Sequence, residues 1–297
     1  MSLFHKLIYA PKINWFIRNT TYLFSSFLPG KVKIHPSGRI KIKVNSNTSF
    51  YLKTNQTSYL TRELFWKRAE GFEYTTIFIG LIKKTAVFLD IGANIGYYSI
   101  LGCSINDRLT VYAFEPSTGP IAYLFENIQI NNVLNNVFAE QLALSDTSGE
   151  IDFYEIKNAK FPEIKNLSGE HNIGTKKDKI SCKTKVSSIT LDEYTKVKSI
   201  EAIDLIKLDT EGAEVLILKG AKDTINRNKP IIICETLFNK IENKLDAIMR
   251  EYNYKFYNHT HDGLEEVASI IRTKDDGVRN CFFVPEDKVH MIKEWVV

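Results

Sequence analysis

From residue 85 onward, short unbroken apolar runs alternate with amphipathic segments. Residues 86–89 run into Asp90, 110–114 into Glu115, 203–208 into Asp209 and 231–234 into Glu235, with a further run at 137–143. Helix-like segments at 97–103, 118–131, 214–226 and 240–252 separate most of them. Two more apolar runs, near 255–257 and 281–284, close the chain. Strands that are apolar throughout have both faces covered, which is the signature of a parallel sheet sandwiched by helices. The segment 155–185 is polar and Lys-rich and lacks either period, so a long loop is expected there. At the carboxyl ends of such strands a long loop is a candidate lid or recognition element.

The front of the chain has another pattern. Residues 2–28 carry Leu3, Phe4, Leu7, Ile8, Trp15, Phe16, Ile17, Leu23, Phe24, Phe27 and Leu28, and Pro11 divides them into two expected helices. Val32 and Ile34, then Ile40, Ile42 and Val44, alternate with charged residues around Pro36-Ser37-Gly38. That predicts a hairpin with one buried and one basic face, and a third strand over 50–52. Residues 61–84 read as mostly helical.

Charge sharpens this division. Residues 1–62 hold ten Lys and Arg and no acid, which leaves 29 basic and 35 acidic residues for 63–297, a net of −6. We expect a basic N-terminal extension over 1–62 joined to a catalytic domain over 63–297. An acidic body is a poor nucleic-acid binder, because binding needs basic surface to displace phosphate counterions. Cys103, Cys182, Cys234 and Cys281 form no close pair or C-x-x-C, which fits a reducing compartment and a cytoplasmic protein. The best candidate span, 19–30, has only twelve uncharged residues, short of the ~20 a spanning helix needs. Lys12 and Arg18 interrupt any signal-peptide core.

The strongest chemical signal is Phe88-Leu89-Asp90-Ile91-Gly92-Ala93-Asn94-Ile95-Gly96-Tyr97. A buried strand ends in a carboxylate, turns through two glycines and enters a helix. Dinucleotide sites use G-x-G-x-x-G to set helix amides on a pyrophosphate. The form Gly92-x-x-x-Gly96 behind Asp90 instead suits a nucleoside carrying positive charge and no phosphate. Glu115, 19 residues beyond Gly96 and followed by Pro116 and Ser117, ends the adjacent strand, where a carboxylate can hold both ribose hydroxyls.

These blocks, with Ala143-Leu144-Ser145-Asp146 and Gly149, and with Ile206-Lys207-Leu208-Asp209-Thr210-Glu211-Gly212-Ala213-Glu214, resemble the FkbM-type family of S-adenosylmethionine-dependent methyltransferases. The resemblance covers roughly 73–284. It implies a Rossmann-like class I α/β fold: a seven-stranded, mostly parallel sheet with helices on both faces. It implies S-adenosyl-L-methionine as methyl donor and O-methylation of a sugar, glycan or similar hydroxylated metabolite. By resemblance, Asp90, Gly92, Ala93, Asn94, Gly96 and Tyr97 surround the amino-acid part of the cofactor. Glu115 holds the ribose, with Pro116 and Ser117 beside it, and Leu142, Ala143 and Ser145 lie along the adenine. Asn127 and Asn131 fix the neighbouring loop. Asp209 and Glu211 face the methyl group, with Asp209 also touching the cofactor, and Glu235 is an acceptor-side acid.

Independently of family, an alcohol acceptor needs alignment and a base for its proton. Asp209 and Glu211 flank one turn, so two like charges in one crevice would raise one pKa, or would hold a divalent cation. The blander alternative is that Asp209 caps the helix beginning near Ala213. His171 reads as a solvated loop histidine, and His259 and His261 as incidental. Lys207, inside an apolar strand, is expected to reach a carboxylate. Two other functions stay open: an NAD-type oxidoreductase, which the missing third glycine disfavours, and a cofactor-binding or membrane-associated assembly subunit without turnover. The extension over 1–62 could pack on the domain, pair two copies, or dock residues 1–30 on an anionic membrane at its inner face.

Overall fold

The computed structural model describes residues 3–25, 27, 29–175 and 180–297. Leu28 therefore lies outside the described residues. The chain opens with helices α1 (Leu3–Ile8) and α2 (Pro11–Tyr22), then strands β1 (Gly38–Lys43) and β2 (Ser49–Thr54), then α3 (Tyr59–Lys67) and α4 (Thr75–Ile82). The alternating unit follows: β3 (Val87–Ile91), α5 (Tyr97–Ile105), β4 (Thr110–Phe114), α6 (Thr118–Ile130) and β5 (Val137–Glu140). Next come β6 (Ala143–Leu144), β7 (Gly149–Ile156), β8 (Ser181–Ile189), α7 (Leu191–Val197) and β9 (Leu205–Leu208). The last part is α8 (Glu214–Lys219), α9 (Lys222–Asn228), β10 (Ile231–Glu235), α10 (Glu242–Glu251), β11 (Tyr254–His259), β12 (Leu264–Val267) and β13 (Asn280–Pro285).

The main sheet has the order β12-β11-β13-β10-β9-β3-β4-β5. Strands β5, β4, β3, β9 and β10 are mutually parallel, and β13 enters antiparallel between β10 and β11. This is the mostly parallel α/β sheet expected, with β12 added as an eighth, edge strand. Its strands are buried on both faces: β9 is buried at every residue, and two apolar clusters cover the two sides. The chain order reverses between β3 and β9, so a crevice opens at the carboxyl ends of these neighbours.

Two expectations are corrected, one at the front of the chain and one in its middle. The hairpin pairs β1 with β2, Gly38 to Thr54 through Lys43 to Ser49, rather than 32–34 with 40–44. Gly30–Val32 forms a 3-10 turn instead. The turn at 44–48 closes the ribbon through Val44 N and Asn45 N on Thr48 O, and the Asn45 side chain accepts from Asn47 and Thr48 amides. Pro36-Ser37-Gly38 leads into β1 rather than turning it. The segment 155–185 is also less irregular than expected. It carries the end of β7 and the start of β8, which form a three-stranded sheet with β6. Asp152 is paired with Lys185 in register and bonds Lys183 and Lys185 at 2.7 and 2.9 Å. Cross-strand ion pairs stabilise this ribbon where little apolar surface is available.

The β1–β2 hairpin is fastened to the main body by two asparagines. Asn127 on α6 and Asn131, the residue that caps its end, stand one turn apart, about 6 Å along the helix axis. Lys53 and Tyr51 stand two residues apart on β2, about 7 Å. The match lets each carboxamide grip one residue's backbone. Asn131 accepts from Tyr51 N at 2.8 Å and donates to Tyr51 O at 2.7 Å; Asn127 accepts from Lys53 N at 2.6 Å and donates to Lys53 O at 3.3 Å. A helix thus stands in for a strand and satisfies the open edge of β2. Asn127 also donates to Ile95 O at 2.9 Å, inside the Gly92–Gly96 turn. Ile40, Ile42, Phe50 and Leu52 join the same apolar cluster as Phe88 and Leu101, so packing crosses position 62.

Replacing Asn127 with Ala leaves buried amide and carbonyl groups of Lys53 and Ile95 without partners. We expect a loss of about 2 kcal/mol in chemical denaturation, in the range for unsatisfied buried groups.

Candidate functional site

A narrow cleft of about 80 Å³ lies at the carboxyl ends of β3, β4 and β9. The first turn builds its floor. Gly92 has φ of 78°, and a Cβ there would stand 1.8 Å from the Asp209 carbonyl. No other residue allows β3 and β9 to approach so closely. Gly96, at φ 87°, opens α5, and a Cβ there would strike Leu124 at 2.4 Å. Amides of Gly92 and Ala93 both donate to Phe114 O, which ties the turn to β4.

Glu115 is buried and accepts from Asn94 N and Ser117 N, both at 2.9 Å. Burial raises the carboxyl, against the amide bonds from Ser117 and Asn94. A carboxylate has about four acceptor positions, so two remain for ligand hydroxyls. Asn94 has φ of 50°, and its buried Oδ1 has no hydrogen-bond partner. Such an orphan acceptor is costly unless a ligand donor meets it.

Behind the cleft sits Lys207, 4% exposed. Its ammonium donates to Gly92 O at 3.0 Å and lies 3.4 Å from Asp90 Oδ1 and 3.5 Å from Asp209 Oδ2. Burial alone would depress the lysine, but Asp209, Asp90 and Glu73 more than offset it, so it stays above its ordinary value and cationic. Asp90 also accepts from Ser99 Oγ at 2.6 Å. With Asp90, Glu115 and Asp209 around one lysine, the cleft has an excess of negative charge, which favours a cationic ligand.

The residues singled out from the sequence divide into two sets. Gly92, Asn94, Glu115, Pro116, Ser117, Leu142, Ala143 and Asp209 line the cleft. Asp90, Ala93, Gly96, Tyr97 and Ser145 do not line it. Tyr97 points into the core, with its hydroxyl 2.9 Å from Thr75 Oγ1 and its ring against Phe50 and Phe72. Ser145 is buried beside Asp146, 3.3 Å away. Asp90 acts one layer back, through Ser99 and Lys207.

Asp209 does not cap α8: the helix begins after Ala213 with no side-chain cap. Glu214 does the local work instead, accepting from Thr210 N and Oγ1 at 2.9 Å and Gly212 N at 3.3 Å. Glu211 sits in the turn at φ 58°, its carbonyl accepting from Thr175 Oγ1 at 2.5 Å, and it is not among the cleft-lining residues. Glu235 ends β10 opposite Asn280, likewise outside the lining. The carboxyl group that Asp209 perturbs is Glu73, and burial with Asp209 raises it to about 7.

Sequence reasoning missed several walls of the cleft. Phe153 arrives on β7, and Gly169, His171 and Ile173 arrive on the long connection to β8. His171 is not solvated. It is 9% exposed, and Nδ1 accepts from Ile156 N at 3.0 Å, so Nε2, 3.1 Å from Asn166 O, is the donor. No signal short of the β7–β8 pairing places it there. Among the described residues, no three His, Cys, Asp or Glu converge as metal ligands, and no helix is long and apolar enough to cross a membrane. Cys103, Cys234 and Cys281 are buried free thiols and Cys182 is an exposed one.

A reversing α/β sheet, a glycine turn behind a buried carboxylate and a second strand-end acid define an S-adenosylmethionine-dependent methyltransferase of class I. Residues 90–256 match the methyltransferase FkbM domain, and the chain belongs to that family. It is 28% identical over 206 residues to the methyltransferase sdnD of Sordaria araneosa, spanning 60% of this chain and 78% of the relative. It is 28% identical over 157 residues to the 2-O-methyltransferase NoeI of Sinorhizobium fredii, spanning 50% of this chain and 63% of the relative. It is 27% identical over 209 residues to the 31-O-demethyl-FK506 methyltransferase FkbM of Streptomyces tacrolimicus, 60% and 74% of the two chains.

Lys207→Met would leave Asp90 and Asp209 without their cation. Removing one partner of a buried ionic cluster costs about 3–5 kcal/mol. We expect denaturation to read a loss of that size, while Lys207→Arg, which keeps the charge, recovers part of it.

Proposed function

We propose that the chain transfers a methyl group from S-adenosylmethionine to a hydroxyl of a sugar, glycan or similar hydroxylated metabolite. The observation that carries this reading is the cleft itself: Glu115 with free acceptor positions, the orphan Asn94 carbonyl, and a carboxylate excess where a sulfonium and an ammonium would sit. Nothing there suits a pyrophosphate, which disfavours the oxidoreductase alternative. Relatives named for O-methylation, together with a hexuronic acid methyltransferase of Haloferax volcanii 26% identical over 151 residues, support a hydroxylated acceptor.

Gly92, Asn94 and Asp209 would meet the amino-acid end of the cofactor, with Asp90, Ala93, Gly96 and Tyr97 shaping the turn from behind. Glu115 would accept from the ribose hydroxyls. Pro116, Ser117, Leu142 and Ala143 would flank the adenine, and Ser145 would support them. The cofactor supplies an electrophilic methyl on a leaving thioether; the protein contributes alignment, exclusion of water and a proton acceptor. Asp209 and Glu211 remain candidate acids at the methyl end, and Glu235 on the acceptor side.

The front of the chain has a specific role in this reading. Helix α2 is inverted: its inward residues are Asn14 and Arg18, while Trp15 and Phe16 are 56% and 63% exposed. Arg18 donates to Asn14 Oδ1, Ser37 O and Arg39 O, at 2.7–2.8 Å, so the polar face is what fastens the helix. Phe4, Leu7, Leu23, Phe24 and Phe27 are also exposed, beside exposed Lys6 and Lys12. Aromatic residues among lysines, without one acid in 1–62, fit the surface of an anionic membrane.

Calorimetry should show micromolar-range binding of S-adenosylmethionine and none of NAD. Glu115→Gln should weaken the former about tenfold to a hundredfold, the value of one or two charged hydrogen bonds. NAD binding without S-adenosylmethionine binding would reject the assignment. The intact chain should float with vesicles containing phosphatidylglycerol but not pure phosphatidylcholine, and Trp15→Glu with Phe16→Glu should abolish it. Equal flotation of the double variant, or pairing of copies blocked by it, would overturn the membrane reading.

A further inference from the structure

A second cleft, of about 780 Å³, opens elsewhere on the molecule. Its walls are Glu70, Glu73, His259, Glu265, Asp276 and Arg279, with the 260–261 turn completing the rim. Every one of these residues lies outside 90–256, the stretch shared with the family. The shared frame thus holds the donor cleft, and the segments before and after it build this second space.

The two clefts meet through a short relay of side chains. Asp209 lines the first, and Lys207 lies 3.5 Å from it. The Lys207 ammonium stands 5.9 Å from the centroid of the Tyr98 ring. The Tyr98 hydroxyl donates to Glu73 Oε2 at 3.0 Å, and Glu73 faces the second cleft. Tyr98 is fixed by Tyr74, whose ring stacks on it at 5.0 Å. Glu73 itself has φ of 42°, a costly conformation for a non-glycine residue that the surrounding contacts must hold.

Resting on the methyltransferase reading above, we infer that the second cleft is the acceptor subsite, that it takes a neutral polyhydroxylated ring, and that Glu73 accepts the proton of the reacting hydroxyl. The ring is neutral because Glu70, Glu73 and Glu265 leave the cleft acidic once the paired groups are set aside: Asp276 is held by Arg272 at 2.9 Å and Arg279 by Asp275 at 2.8 Å. An anionic sugar would meet repulsion there. In the step, the hydroxyl oxygen forms a bond to the methyl carbon, and the carbon–sulfur bond breaks with its pair going to sulfur. The O–H proton passes to the Glu73 carboxylate, and the sulfonium charge is discharged.

The environment of Glu73 fits a base. Although Glu73 is exposed as a residue, its carboxyl end is enclosed beside Tyr98; that enclosure first, then the Asp209 charge, raise it to about 7, against the Tyr98 hydroxyl and Lys207, which lower it. His259, across the cleft on β11, is lowered by burial and stays neutral near pH 7. The remaining charged groups around Glu73 are Glu70, His261, Glu265, Asp276 and Arg279. Asp209 is less suited, because it carries its own countercharge in Lys207. Tyr98 acts through Glu73 and is a positioning residue.

The test uses the full chain, tritiated methyl donor and para-nitrophenyl glucoside, galactoside and glucuronide as acceptors. Neutral glycosides should be methylated with kcat/KM at least tenfold above the glucuronide. Glu73→Gln should lower kcat at pH 7 at least a hundredfold, within the usual range for losing a positioned base. Its donor affinity by calorimetry should stay within twofold. The kcat of the unaltered chain should rise with pH through about 7. That limb should vanish in Glu73→Gln and move to higher pH in Tyr98→Phe. Preference for the glucuronide, full kcat in Glu73→Gln or an unmoved limb would overturn the inference. If none of the three glycosides accepts methyl, the inference also falls. A carbon-13 titration of labelled glutamate should find a carboxyl with a midpoint near 7 that Glu73→Gln removes; a midpoint near 4.5 would overturn the inference whatever the acceptor. Failure of the donor to bind would defeat the underlying reading instead.

Discussion

The structure turns on one buried ammonium. Lys207 reaches from the middle of β9 to the Gly92 carbonyl, Asp90 and Asp209, so a single cation joins the ends of two parallel strands at the point where chain order reverses. Burying it is unfavourable, and three acidic groups are what keep it charged. The same contacts impose the glycine at 92: the strands approach so closely that the Asp209 carbonyl occupies the place of a Cβ. The cleft's negative character and its narrow floor are two consequences of that one arrangement. The charge of the cleft and the folding of the strands therefore draw on the same groups, and substitutions here alter both.

A second constraint ties the front of the chain to this centre. Asn127 bonds Lys53 on one side and Ile95 on the other, so the β1–β2 hairpin and the Gly92–Gly96 turn share one side chain. Arg18 and Asn14 bond the carbonyls and amide around β1 in turn. The polar groups of α2 are spent inward on these bonds, which leaves its aromatic residues outward. An apolar outer face is thus a result of how the helix is anchored.

Much of this was legible in the sequence because burial on both faces leaves an unmistakable trace. The parallel strands β3, β4, β9 and β10 are mostly apolar, with Lys207 the charged exception inside β9, and the acids at or near their ends mark the ligand side. The glycine turn was legible for a related reason, since close approach leaves no room for another residue. What escaped has physical causes as well. Strands β7 and β8 are held by ion pairs such as Asp152 with Lys183 and Lys185, and so show no apolar period. The hairpin register was misjudged because Val32 and Ile34 alternate as a strand would, yet the backbone there turns tightly and Val32 is exposed. Glu214 was overlooked as a turn-holder because a helix-start acid reads equally well as a response to the helix dipole. Glu73 gave no signal: nothing in its neighbours tells that a left-handed backbone will aim it toward Asp209.

The division between what repeats in the family and what surrounds it has a chemical logic. Residues 90–256, the stretch that matches the family, carry the acidic cleft and its rigid turn. The hydroxyl partner differs from protein to protein, so its contacts fall on segments free to change without disturbing the sheet. Glu73 precedes the shared stretch, and His259, Glu265 and Arg279 follow it. They converge because β13 inserts beside β10 and brings the C-terminal segments back across the carboxyl ends of the parallel strands. Asp209, which belongs to the shared stretch, lines the first space, and its charge and that of buried Lys207 act on Glu73 in the second. A family frame can in this way fix the electrostatics of a proton acceptor that the frame itself does not contain.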